Sequence, residues 1–484
     1  MKNKQVRHLR TMLTVLTVFV AAALLPFSAC NKERVVKKKQ VILLSIDTLR
    51  ADHLSAYGYV RDTSPHLTSL LKDSVYYTQA YPNGCWTMPS HMSLLTGTLP
   101  SRHGISQPWG TVYKKKYWQL NDSIKTIADV LEAHDARIKT LKYAKLPTEL
   151  GFANGFEKNI QVDPFDNKKK LAVLLKDIED NKDNDFFFFL HTWKAHAPYT
   201  SPYFLEKSKL SEEKLYYLQH PRKLVKTDVK LTKNRKILDF LKETNLYNAQ
   251  DCMTLYDGGI HNVDGSLAKV IEKCKQLGIY DDVMIVITSD HGEHFAEHDP
   301  NLFYNAHGYD YYEEFIKVPL IIKYPAGTVK PGVVDYPVSL VDVFPTILDF
   351  YKIQAPVYIQ GYSLLAPFAS RQKYLVSEAV SLPRQERKMI RVGNLKYIIT
   401  MDNPSPGDRV NWEAVTDRKL FDLKNDPLEK KNLYADLKFR GICINFEKML
   451  KKIIKDSTGA NRPPKETTVD QETLNQMKAL GYLE

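Results

Sequence analysis

The chain has 484 residues, of which 43% are hydrophobic, 26% charged and 11% aromatic. That ordinary globular composition excludes a disordered, collagen-like or low-complexity protein. The net charge of +12 does not mark a nucleic-acid binder, because residues 1–39 hold nine Lys/Arg and one acid, leaving only +4 on the other 445 residues.

In chain order, Lys2, Lys4, Arg7 and Arg10 precede an apolar run over 12–25, and Phe27-Ser28-Ala29-Cys30 follows. A basic stretch, a short apolar core and small residues before a cleavage point predict a secretory signal over 1–30. The Cys after Ser-Ala resembles a bacterial lipoprotein signal with Cys30 lipidated; the alternative is an uncleaved membrane anchor. Both readings predict an exported bacterial protein of the cell envelope, tied to the membrane by its N-terminus. Residues 31–39 read as a basic tether. Cys85, Cys252, Cys274 and Cys443 are too scattered for a disulfide framework or a zinc finger.

The run 41–46 is continuously apolar up to Asp47, as expected of a strand buried on both faces. Runs 186–190 and 283–288 look alike, and the second ends at Ser289-Asp290-His291. Amphipathic stretches over 123–134 and 255–277 have helical length. Strands alternating with helices predict an α/β fold with a large, mostly parallel sheet flanked by helices. Ligands of such sheets bind beyond the carboxyl ends of the strands, where Asp47 and Asp290–His291 stand. Residues 205–245 read as a Lys-rich surface insertion. After a boundary near 368, short alternating segments at 373–379, 388–391 and 397–401 predict a small antiparallel sheet. With a helix near 437–455, they form a C-terminal α+β subdomain and tail over 369–484.

Asp47, Asp257, His261, Asp290, His291 and His307 are the candidate metal ligands. Asp257 and His261 are four apart and share a helical face, and mixed carboxylate and imidazole ligands favour Zn²⁺ over Ca²⁺. Thr87 precedes an apolar helical pattern with Pro89 in its first turn. A hydroxyl there meets the N–H groups and dipole that favour an oxyanion; beside a metal it becomes a nucleophile. The alternative role for Thr87 is an N-cap.

Eight segments together resemble the sulfatase and alkaline phosphatase superfamily over about 40–435: ILLSIDTLRADHLSAYGY (42–59), TSPHLTSL (63–70), TMPSHMSLLTGTLPSRHG (87–104), FLHTWKAHAPY (189–199), TSDHGEHFAEHD (288–299), HGYDYYEEFIKVPLII (307–322), VSLVDVFPTILD (338–349) and LFDLKNDPLEKKNL (420–433). The resemblance implies an alkaline phosphatase-like catalytic domain over 40–368, a smaller C-terminal domain, and hydrolysis or transfer of phosphate or sulfate esters. By position it implies Thr87 as nucleophile and ligand, with Asp47, Asp290 and His291, of one metal. Asp257, His261 and His307 would hold a second. His191 and His196 match residues lining the substrate pocket, and Glu297 and His298 fall where they could orient a ligand.

Sulfatases of the family oxidise a Cys or Ser in Cys/Ser-x-Pro-x-Arg to formylglycine. Thr87-Met88-Pro89-Ser90-His91 stands there instead, and oxidising Thr would give a ketone. That departure, with the His-rich ligand set and two divalent ions, predicts cleavage or transfer of phosphate mono- or diesters on a small-molecule, lipid or glycan ester. The alternatives are a sulfuric ester hydrolase and a non-catalytic, metal-stabilised binding lipoprotein.

Overall fold

The computed structural model describes residues 37–106, 117–205, 249–299, 307–308, 310–367, 374–381, 385–402, 410–458 and 465–467. The signal segment with Cys30, most of the basic tether and most of the 205–245 insertion lie outside them. Among the described residues no helix is long and apolar enough to cross a membrane.

The three apolar runs are the centre of a nine-stranded sheet. Gln40–Ile46 lies between Phe186–Thr192 and Val283–Thr288, parallel to both. On the Phe186–Thr192 side follow Lys139–Tyr143 and Lys158–Ile160. On the other come Val318–Lys323, Val75–Tyr81 and Val338–Ser339, with Gly332–Val334 also on Val75–Tyr81. Within this sheet only Val318–Lys323 runs against its neighbours.

Phe186–Phe189 show why the centre is continuously apolar. Phe187 and Phe189 pack with Met88, Met92 and Leu95 on one face, while Phe186 and Phe188 pack with Leu255, Tyr256 and Ile260 on the other. Each buried Phe contributes roughly 2 kcal/mol relative to exposure, so a polar residue at any of the four would disrupt a helix contact. The helices responsible are Thr87–Thr96 and Ala249–Gln276. The latter begins six residues before the amphipathic pattern suggested. The predicted 123–134 helix starts instead at Ile127, because Thr126 and Asp129 form a capping box that fixes its first turn.

The C-terminal part is a four-stranded antiparallel sheet in the order Tyr374–Ser381, Gln385–Val392, Leu395–Asp402, Val415–Asp422. The helix Arg440–Thr458 packs Cys443, Phe446 and Leu450 onto its Ile390, Tyr397 and Ile399.

Candidate active site

Strand register assembles the site. Ser45 pairs with both His191 and Thr288, so the three parallel strands end level, with His191 in that row and Asp47 and Asp290 each two residues beyond it. The Asp47 backbone N–H donates to Thr192 O at 2.9 Å, which fixes the first turn after the strand. Beyond Asp290-His291 the chain turns at Gly292, where a Cβ would lie 1.9 Å from the Glu314 carbonyl oxygen. Only glycine permits that approach, and the Gly292 N–H donates to Phe315 O at 2.7 Å.

Thr87 opens its helix after Trp86, whose backbone is extended (φ −158°, ψ 168°). Gly97 ends the helix at φ 65°, against the Phe344 ring. The Thr87 hydroxyl is fully buried and lies 3.3 Å from His291 Nε2. The other His291 nitrogen, Nδ1, is 2.9 Å from Gly292 O and donates to it. That bond leaves the Nε2 lone pair facing the site, as a metal ligand requires. Burial holds the His291 imidazolium pKa down at about 4, and His307 adds to the effect.

Asp47 and Asp290 are both fully buried. Burial first, then the Asp47 charge, raises the Asp290 carboxyl to about 6. Two such carboxylates side by side demand a cation, and the geometry fits one. Ligands held about 2.1 Å from a tetrahedral ion sit about 3.4 Å from each other. His291 Nε2 lies 3.4 Å from Asp290 Oδ2, 3.5 Å from Asp47 Oδ1 and 3.3 Å from Thr87 Oγ1. Asp47, Asp290 and His291 offer ligand atoms within 4.8 Å of one another. These contacts match the edges of a coordination sphere better than hydrogen bonds.

The second expected group does not assemble. Asp257 is fully buried, but its carboxylate accepts from Arg61 Nη1 at 2.6 Å and Tyr59 OH at 2.9 Å, and His53 Nδ1 lies 2.7 Å away. Those donors from the 51–63 segment satisfy it without a metal. His261 does share the helix face, yet its ring stacks on Tyr203 at 3.9 Å. His307 turns to Glu293, 3.3 Å from its Nδ1, and its ring lies beside His291 and His196 at 4.8 and 4.9 Å. Glu293 in turn accepts from Tyr199 OH at 2.6 Å. The Asp257–His261–His307 trio is therefore corrected to three separate contacts, of which only His307 borders the site.

His191 and His196 part company: His191 is buried against Asp47, with Nε2 3.3 Å from Oδ2, while His196, also buried, lies beside His307. His298 meets Glu314 at 2.7 Å and Leu428 O at 3.1 Å, orienting neither His291 nor His307. His91, passed over because a sulfatase-type sequence has Arg at that position, is buried beside Asp290, with Nδ1 3.4 Å from Oδ2. Glu293 was also missed; its place between two ligand segments was the only available signal.

A mostly parallel sheet with this Asp/His/Thr site at its strand ends is the alkaline phosphatase-like architecture of sulfatases. The chain belongs to the sulfatase family: the Sulfatase family model matches residues 39–353, and a model described as N-sulphoglucosamine sulphohydrolase, C-terminal, matches 307–402. Arylsulfatase K of Homo sapiens is 24% identical over 499 residues, covering 91% of this chain and 87% of its own. The ulvan-active sulfatase of Formosa agariphila is 23% identical, covering 86% and 81%. The fold is shared with the 2-O GAG sulfatase BT1596 (TM-score 0.66, 18% identity, 91% and 96% covered). It is also shared with a phosphonate monoester hydrolase from Silicibacter pomeroyi (TM-score 0.63, 20% identity, 87% and 96% covered).

These relatives overturn the expectation of a phosphate mono- or diesterase. That expectation rested on the missing formylglycine sequence and on a second metal at Asp257, His261 and His307. The second support is removed by the geometry, and the relatives matched along most of the chain are named as sulfatases.

Proposed function

We propose that this protein is a sulfuric ester hydrolase acting on a sulfated carbohydrate, with the unmodified Thr87 hydroxyl as its nucleophile. The observation that carries the reading is similarity along most of the chain to sulfatases, one of them named as ulvan-active, in a chain whose Thr87 hydroxyl points at His291. An exported location, suggested by the basic and apolar N-terminus, suits a polymeric substrate.

Asp47, Asp290 and His291, with Thr87, would hold a divalent ion, which when bound polarises the sulfate and favours the ionised hydroxyl. In this reading Thr87 Oγ1, its proton released to solvent on ionisation, attacks sulfur, and the S–O bond to the sugar oxygen breaks. The leaving oxygen takes a proton from His307. Despite its burial, His307 has a raised pKa because the Glu293 carboxylate faces it. Water then attacks the sulfur, the bond from Thr87 Oγ1 to sulfur breaks, hydrogen sulfate leaves with the hydroxyl restored, and His307 regains its proton from solvent.

The test is release of inorganic sulfate from sulfated oligosaccharides of ulvan and of glycosaminoglycans, followed by ion chromatography with wild type and Thr87→Ala. Sulfate release lost in the variant supports the reading. Release at equal rates from both, or release of phosphate alone from a matched phosphorylated sugar, contradicts it.

A further inference from the structure

We propose a second cation site on the inner side of Asp290, held by His91, His191 and the shared Asp290 carboxylate. His91, His191 and Asp290 are 0%, 1% and 0% exposed, and each offers a ligand atom within 4.8 Å of the others. Neither ring nitrogen of His191 makes a hydrogen bond, nor does Asp290 Oδ2. Buried polar atoms with nothing to bond are costly and rare. One His191 nitrogen and Asp290 Oδ2 thus stand beside His91 at the heart of the protein, open to a common partner.

The spacing identifies that partner as a metal ion. His91 Nδ1 lies 3.4 Å from Asp290 Oδ2, the ligand-to-ligand distance of a tetrahedral Zn²⁺-type ion, about 3.4 Å, and the His91 and His191 rings stand 4.4 Å apart between centroids. The ring of His91 is set for the task. Its Nε2 is 2.9 Å from Ser45 Oγ, which accepts from it when Nδ1 carries the lone pair. Nδ1 then faces Asp290 and the Thr87 carbonyl oxygen, 3.0 Å away, a further oxygen for the same ion. Two imidazoles with a carboxylate suit Zn²⁺ or a similar transition ion better than Ca²⁺. Such an ion lets Asp47 and Asp290 stay ionised together and sets a positive charge behind Thr87. The site goes beyond the sulfatase reading, because metal content does not depend on which ester is cleaved.

The experiment uses the full chain equilibrated with Zn²⁺ alone. Bound zinc is counted by mass spectrometry, and crystals are mapped by anomalous scattering at the zinc edge. Two equivalents are expected, with one peak between His91 and His191, and His191→Asn should fall to one equivalent while keeping the peak beside Thr87. One equivalent in the wild type, two equivalents retained in His191→Asn, or a second peak at Asp257, His261 or His307 would each overturn the proposal. If the variant fails to fold, the wild-type anomalous map decides alone.

Discussion

The Thr87 hydroxyl lies 3.3 Å from His291 Nε2, and the Nδ1 bond from His291 to Gly292 O keeps that nitrogen's lone pair turned toward it. A helix start and a strand end, 204 residues apart in sequence, thus present one nucleophile and one ligand to the same point. Removing the hydroxyl removes the attacking atom. Thr87→Ala should lower turnover by about 10³-fold or more, with Thr87→Ser retaining most of it and unfolding transitions little changed. Comparable turnover in Thr87→Ala would end its assignment as nucleophile.

Asp257 tests the corrected ligand set. Its carboxylate is satisfied by Arg61, Tyr59 and His53, so Asp257→Asn weakens a buried ionic network rather than a metal site. The expected result is about 1–3 kcal/mol less stability in denaturant titration, with bound metal per chain unchanged. Loss of a metal equivalent would restore Asp257 to the ligands.

Gly292 is needed because the Glu314 carbonyl occupies the space of a Cβ at 1.9 Å. Gly292→Ala should force Asp290-His291 away from Thr87, costing more than about 2 kcal/mol of stability and most of the turnover. A variant of wild-type stability would show that the loop tolerates a shift the packing argues against.

Acidity should act through the buried imidazoles. Burial lowers His91, His103 and His191 to about 3, against about 6.5 in the unfolded chain. Between those values the unfolded state binds more protons, so their contribution is fully present above pH 6.5 and is lost as pH falls. Asp290 and Glu429, raised to about 6 and about 7, work in the opposite direction, as do His298 and His307, whose pKa values are also raised. With His291 also lowered, to about 4, four buried imidazoles favour the neutral side, and metal-free protein should melt lower at pH 5 than at pH 7.5. His103 is the clean probe: it is neutral and satisfied, with Nε2 3.0 Å from Ser93 Oγ and Nδ1 accepting from Ile105 N at 3.0 Å. His103→Asn should narrow the gap by about 2 kcal/mol. An unchanged gap in melts of wild type and variant would place the acid sensitivity elsewhere.

The strand-end residues were legible because continuous apolar runs mark central parallel strands, and the residue after each such strand faces the ligand side of the sheet. Asp47, Asp290 and His291 follow from that pattern, and Thr87 from its place before a helix. Asp257 and His261 show where the pattern fails. Four-residue spacing fixes a shared helix face but not what lies opposite it, and here the 51–63 segment supplies Arg61, Tyr59 and His53. His91 was hidden for a related reason: its position was read for a missing Arg, and only the fold brings it to Asp290. Glu293 depends on Tyr199 and His307, contacts made across loops with no periodicity to betray them.

The most direct test is turnover of 4-methylumbelliferyl sulfate against 4-methylumbelliferyl phosphate by wild type and Thr87→Ala, with residue 87 checked by mass spectrometry. The account predicts Thr87-dependent cleavage of the sulfate in preference to the phosphate, by a chain whose Thr87 carries no modification. Preferential cleavage of the phosphate, or sulfate turnover that survives in Thr87→Ala, would contradict it.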